Sequence, residues 1–307
     1  MKRILFLPAA IFFAAWSVSS AQVVLKDAER FQSKREWRAA LGYDPARIFS
    51  LRFRGNSCPL VEVKIDGQSF WLTFDFGSSG GMLVTTAIEE KIKYEFVREL
   101  KTSYADGRPR GSGKEVILNR VEAFGKTFER VVCDLFDWKI FSSAPNDGAI
   151  SLEYIENTRF TLDYREKILA VTEKPFPEVL MTGGGLISIP LLISPDWNKY
   201  GLYLKGTVNG RETIIYIDNG SSHTIVDPGL LGAMPVTKSR GGDICASEIP
   251  VSIGGLDLRI SRFRVAAVRR KTSYDLPVGI KIGSDLLRHF VLTVDRTPGR
   301  NLLIVHR

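Results

Sequence analysis

Two stretches of the chain end an apolar run on a carboxylate and follow it at once with a glycine-containing turn. TFDFGSSGGMLV, residues 73–84, carries Asp75, and IDNGSSHTIV, residues 217–226, carries Asp218. In each, one intervening residue (Phe76 or Asn219) is followed by glycine and two serines: Gly77, Ser78 and Ser79 in the first, Gly220, Ser221 and Ser222 in the second. Glycine lets the backbone turn tightly, and the first serine offers a hydroxyl to the carboxylate. Two such acids brought into contact cannot both ionise. They share one proton, so a general base and a general acid stand side by side. A pair of that kind activates a water and protonates an amide leaving group. Other hydrolytic chemistry is poorly provided for. There are 3 histidines and 3 cysteines, without CxxC or Cys/His spacing, so zinc has few ligands to draw on. Neither a Ser/His/Asp triad nor a Walker or Rossmann glycine loop can be read from the local motifs.

The elements that would position the two acids are themselves duplicated. Asp75 and Asp218 lie 143 positions apart, and the same shift carries Asp66-Gly67 onto Asn209-Gly210. Those dipeptides signal type I′ hairpins, which need positive φ at both central residues. Each copy therefore reads strand, tight turn, strand, acid: VEVKI-DG-QSFWLTF-Asp75 and LKGTV-NG-RETIIYI-Asp218. A second pair of blocks, FTLDY (160–164) and LTVDR (292–296), matches at a shift of 132, which places Leu152 to Ile155 on Ser284 to Leu287. Each of these copies reads as an apolar approach, a helix of one or two turns and a closing strand. The shifts differ by eleven residues, which a shorter central region in the second copy absorbs. Alternation in EVILNRVEAF and DLRISRFRVAAV predicts further strands. Asp163 and Asp295 recur in the second blocks and are assigned to strand ends, and His223 to a turn or rim.

The 307 residues, 44% hydrophobic and 25% charged, have the composition of a globular protein and the length of about two domains. Residues 1–21 read differently. Lys2 and Arg3 precede an apolar run to Trp16, and Ser19, Ser20 and Ala21 supply a small-residue cleavage site, which predicts a signal peptide cut after Ala21 and an exported protein, periplasmic or secreted. The expected organisation is then an N-terminal extension over 22–50, a first lobe over 51–175, a linker over 176–199 through KPFPEV and the glycines 183–185, and a second lobe over 200–307. AERFQSKREWRAAL in the extension reads as an amphipathic helix packed on the first lobe, and the extension is basic enough to cover an acidic cleft. Cys58, Cys133 and Cys245 allow at most one intramolecular disulfide and leave a thiol over. The net charge of +8 is scattered, with Arg269, Arg270 and Lys271 the densest run. A solvated face is the better reading than a nucleic-acid site, and contact with an anionic envelope surface stays open.

The two DxGSS motifs, with the later blocks AISLEYI and KIGSDLL, resemble the pepsin and retropepsin aspartic peptidases, in particular bacterial exported members with a retropepsin-like fold. The resemblance covers the chain after residue 50. It implies an all-β protein with two similar retropepsin-like β-barrel lobes in a pepsin-like bilobal arrangement about a cleft, and an aspartic endopeptidase whose Asp75/Asp218 dyad hydrolyses peptide bonds in a peptide or unfolded protein. It implies no cofactor and no metal. Since each lobe supplies its own acid, a monomer suffices. Gly77, Ser78, Gly220 and Ser221 would support the dyad. In the family an apolar-apolar-Gly segment runs beneath each acid; Ile280 to Gly283 keeps it, and Gly148 to Ser151 has serine at its end. The family's flexible hairpin over the cleft has its counterpart in SYADGRPRGSG, residues 103–113, with Tyr104 facing substrate; an exposed turn around Asp106-Gly107 is the equal alternative. The departure lies at Phe76 and Asn219, which stand where the family has Thr or Ser joining the lobes by a hydrogen-bond network. Asn219 is expected to donate across the interface and Phe76 to pack beneath it. Two rival readings keep the fold and drop the chemistry: an exported protein that holds an extended peptide in the same cleft, catalytically weak or inactive, and a structural protein whose basic surface contacts envelope polymers.

Overall fold

Asp66-Gly67 and Asn209-Gly210 form the turns that their residue types demand. All four residues have positive φ, +48° and +83° in the first pair and +52° and +75° in the second, which matches the right-handed twist of the flanking strands. In the computed structural model of the chain they fold Cys58–Ile65 back on Gln68–Asp75, and Leu202–Val208 back on Arg211–Ile217. The structure describes residues 22–25, 37–54, 58–78, 80–103, 109–137, 146–181, 185–194, 198–238, 242–268 and 274–306. The predicted signal peptide, Ser79, Tyr104, Asp106, Gly107, the Arg269 to Lys271 run, two of the linker glycines and most of the predicted N-terminal helix lie outside the described residues.

The molecule is mostly β, and its described residues form three sheets. An eight-stranded sheet is built from the first half, and a ten-stranded sheet from the second half plus Gln22–Leu25. Both repeat one plan. The acid-bearing hairpin is followed in sheet order by a parallel strand, Gly148–Ser151 or Val278–Ile282, and then by Met82–Thr85 or Ile225–Val226. Beyond these, the first half has three long strands, Lys126–Phe136, Pro109–Ala123 and Tyr94–Ser103, where the second uses shorter pieces such as Phe263–Val265, Asp243–Cys245 and Val236–Thr237. The shorter central region expected from the unequal shifts is therefore found in these strands. The predicted short helices are single turns, Leu152–Ile155 and Ser284–Leu287.

The third sheet, of six strands, draws on both halves. At its centre Arg159–Asp163 runs antiparallel to Val291–Asp295, and Thr161 pairs with Thr293, its own counterpart at the 132-residue shift, with their Oγ1 atoms 2.5 Å apart. A residue that faces its own copy across an antiparallel ladder sits on a two-fold axis. The register alone thus relates the two halves. Alternation then divides the sheet's faces. Phe160, Leu162, Leu292 and Val294 enter a core cluster continuous through both halves. The opposite face carries Ile168, Ala170, Val291 and Ile304, covered by Trp37, Leu41, Tyr43 and Phe176.

That cover corrects the expectation for the N-terminal extension. It packs on the sheet shared by both halves, on the face away from Phe160 and Phe76, and not on the first half alone. Its described helix is the single turn Trp37–Ala40. The reason is polar as well as apolar. Trp37 Nε1 donates to Asp163 at 3.2 Å, the Tyr43 hydroxyl meets Thr161 Oγ1 at 2.7 Å, and the buried Arg159 guanidinium lies 4.7 Å over the Tyr43 ring while donating to the carbonyls of Leu41 and Pro175. Gln22–Leu25 adds to Leu256–Ser261 of the second half. The predicted linker is corrected too: it supplies the helical turn Glu178–Met181 and the edge strand Leu186–Pro190, which pairs with Leu302–His306. Cys58, Cys133 and Cys245 are all free, buried thiols, so no disulfide forms among them.

Asp163 and Asp295 close their strands as expected. Asp163 accepts from the N–H groups of Arg165 and Glu166, and Asp295 from Phe176 N and Thr297 N. His306 Nε2 lies 2.7 Å from Thr293 Oγ1 on the covered face, and burial pushes its imidazole down to about 4. Between its ordinary value and 4 the unfolded chain therefore binds a proton that the folded chain refuses, and stability is lost as pH falls through that window. Chemical unfolding of wild type and His306→Gln across it should show the variant gaining on wild type, by at most roughly 3 kcal/mol at 1.36 kcal/mol per unit.

Candidate active site

Asp75 is the last residue of Gln68–Asp75, and Asp218 follows directly on Arg211–Ile217. Parallel neighbours pin both ends. Ser151 pairs with Asp75, and Asp218 N donates to Ile282 O at 2.9 Å. Each carboxylate sits directly over the glycine of the other motif: a Cβ built on Gly77 would lie 2.3 Å from Asp218 Oδ1, and one on Gly220 would lie 2.3 Å from Asp75 Oδ1. The 143-residue shift exchanges these two contacts, so the two-fold relation of the sheet extends to the acids. Glycine is required at both positions because there is no room for a methyl group.

Burial pushes Asp75 up to about 7, with the negative charge of Asp218 as the next cause; the Gly77 N–H, Lys281 and Arg54 pull the other way. Gly77 N donates to Asp75 Oδ1 at 2.7 Å, and Ser221 N to Asp218 Oδ1 at 3.1 Å. The serine hydroxyls do not reach the acids, contrary to the sequence expectation. Ser78 Oγ donates to Gly80 O at 3.3 Å and Ser221 Oγ to His223 O at 2.9 Å, so both hydroxyls brace the turn while backbone N–H groups face the carboxylates.

Phe76 and Asn219 resolve the departure from two hydroxyl residues. Phe76 is buried and packs edge-on against Phe74 at 5.2 Å and tilted against Phe160 at 5.6 Å, which fills the space beside the two acids with ring. Asn219 is fully buried and accepts, through Oδ1, a 2.7 Å bond from Phe76 N. Between the two motifs the cross-link is made by acceptance through Oδ1, and the Phe76 ring has no polar group to return it. Ser284 Oγ donates to Asn219 O, and the Tyr164 hydroxyl lies 3.4 Å from Ser284 Oγ. The first half also holds the second turn through Arg54 Nη2 and Cys58 Sγ, 3.5 and 3.4 Å from Gly220 O.

Two acids behind the motifs repeat the symmetry. Glu153 accepts from Gly81 N at 2.5 Å, and its counterpart Asp285 accepts from Thr224 N at 2.9 Å and from the Thr224 hydroxyl at 2.8 Å. Gly81 and Thr224 are themselves related by the 143-residue shift. Asp285→Ala leaves both Thr224 donors buried without an acceptor and should cost about 3 kcal/mol, read by urea unfolding. His223 lies in the bend after the second motif, half-buried, with Nδ1 4.0 Å from Asp285 and its imidazole pushed down by burial.

Lys281 is the site residue that sequence reasoning missed. Its Nζ lies 3.1 Å from Asp218 Oδ2. The signal was present, since a lysine interrupts the apolar segment Ile280 to Gly283. Among the described residues no group of three or more His, Cys, Asp or Glu could hold a metal ion. No family model matches the chain, and no curated protein matches it.

Proposed function

We propose that the chain is an exported, monomeric aspartic-type endopeptidase, with two retropepsin-like β-barrel lobes about a cleft and the Asp75/Asp218 pair as its catalytic dyad. The observation that carries this reading is the reciprocal seating of each acid on the other motif's glycine, with Asp75 raised by burial and by its partner's charge. Two carboxylates so placed hold one proton between them near neutral pH. The unprotonated acid takes a proton from water as the water oxygen attacks the scissile carbonyl carbon, and the protonated acid gives its proton to the carbonyl oxygen. Backbone N–H groups and glycine contacts fix the acids without flexible side chains, which favours the positional accuracy that hydrolysis needs. On this reading residues 103–113, at the end of the hairpin formed by Tyr94–Ser103 and Pro109–Ala123, would be the counterpart of the family's covering hairpin.

The test is incubation of the purified chain with denatured casein over a pH series, beside the Asp75→Asn variant. Cleavage by wild type alone supports the reading; no cleavage at any pH sinks it. The one-way cross-link at Phe76 favours a second reading, an exported protein that binds extended peptides in the same cleft without cutting them. That version predicts peptide affinity unchanged by Asp75→Asn and Asp218→Asn.

A further inference from the structure

Lys281 has a counterpart in the first half. The 132-residue shift carries Ala149 onto Lys281, and the registers agree: Ala149 pairs with Thr73 on the strand that ends in Asp75, and Lys281 with Tyr216 on the strand that leads to Asp218. Two equivalent strands therefore run beneath two equivalent acids, and one offers a methyl group where the other offers an ammonium. The side chains of Lys281 and Asp218 are 19% and 9% exposed, so bulk salt screens their pair poorly. The other polar groups around the acids come from several elements. Arg54 acts on Asp75 by its charge and donates to Gly220 O. The Cys58 thiol also meets Gly220 O, Tyr164 faces Ser284, and Asp285 is engaged with Thr224. His223 faces Asp285 and feels Arg264 and Lys281.

Resting on the peptidase reading, we propose that Lys281 is a positioning residue that breaks the two-fold equivalence of the dyad, holding the negative charge on Asp218 and leaving the proton to Asp75. Asp218 is then the base toward water and Asp75 the acid toward the carbonyl oxygen. In the first step the water proton passes to Asp218, the water oxygen bonds the carbonyl carbon, and the Asp75 proton passes to the carbonyl oxygen, giving a neutral gem-diol. In the second, Asp218 returns its proton to the leaving nitrogen as the C–N bond breaks, and a diol hydroxyl returns a proton to Asp75. Asp75 is the acid that burial raises, in keeping with this division.

A cation beside a carboxylate pair favours both charged forms, so its removal moves both proton losses to higher pH. Casein cleavage by wild type, Lys281→Met and Lys281→Arg is to be measured from about pH 3 to 9, together with ¹³C NMR titration of the aspartate carboxyls, assigned with Asp75→Asn and Asp218→Asn. Lys281→Met should shift the limbs of the rate profile and the carboxyl titrations upward by about 1–3 units, while Lys281→Arg stays near wild type. Lys281→Gln substitutes for the methionine variant if that one does not fold. Carboxyl titrations unmoved in the uncharged variant, or moved equally by arginine, overturn the proposal. Shifted titrations in a wild type that cleaves nothing sustain the charge assignment and remove the peptidase reading instead.

Discussion

Asp75→Asn is expected to abolish casein cleavage and, above neutral pH, to leave a more stable protein. The loss of rate follows from removing one of two groups that must exchange protons in the same step, and a fall of at least about a thousandfold is expected, at the scale of acid–base contributions. The gain in stability follows from linkage. Burial raises Asp75 to about 7, so between the ordinary carboxyl value and 7 the folded chain holds a proton that the unfolded chain has released. Folded stability is therefore lost as pH rises through that interval, and an amide, which never ionises, escapes the loss. The melting temperature of Asp75→Asn should exceed that of wild type by several degrees at pH 8 and approach it near pH 4. A variant no more stable than wild type at pH 8 would mean that the carboxylate is not held in a desolvated, charge-opposed site.

The second large effect belongs to the glycines. In Gly220→Ala the new Cβ would stand 2.3 Å from Asp75 Oδ1 and 2.4 Å from its Cγ, and in Gly77→Ala 2.3 Å from Asp218 Oδ1. Neither glycine has a positive φ, so the whole cost is steric. Relief requires the carboxylates or the two motif turns to part by about 1 Å, a displacement that costs about a hundredfold in rate, whereas the overpacking itself costs about 1–3 kcal/mol. Gly185→Ala is the control, because nothing lies within 4 Å of its built Cβ. On the peptidase reading, casein assays and urea unfolding of the three variants should give two proteins that fold and barely cut, and one indistinguishable from wild type. Full activity in Gly220→Ala would show that the acid does not rest on that glycine.

How much of the site was legible depends on which residues are compared. The acids, their glycines and the hairpins before them repeat at one interval, and their physical requirements are local: a turn with positive φ, a carboxylate at a strand end, a glycine after it. Asp163 and Asp295 were legible for the same reason, since a strand-end aspartate binds the N–H groups of its own turn. The serine hydroxyls were misjudged because the sequence shows only that they are near the carboxylates, and the nearest strong acceptors proved to be the carbonyls of Gly80 and His223.

What the chain determined by itself is the duplicated β framework and the pair of acids, because strand period, turn chemistry and motif spacing are written within a few residues of one another. What only the folded molecule decided is everything that depends on distant parts meeting. Thr161 faces Thr293 and creates the two-fold axis; Asn219 accepts from Phe76; the N-terminal segment covers the shared sheet; and the Lys281 ammonium reaches Asp218. Each of these contacts joins residues from separate strands or separate halves. Its energy depends on burial and on a partner's charge, which no local stretch of sequence records.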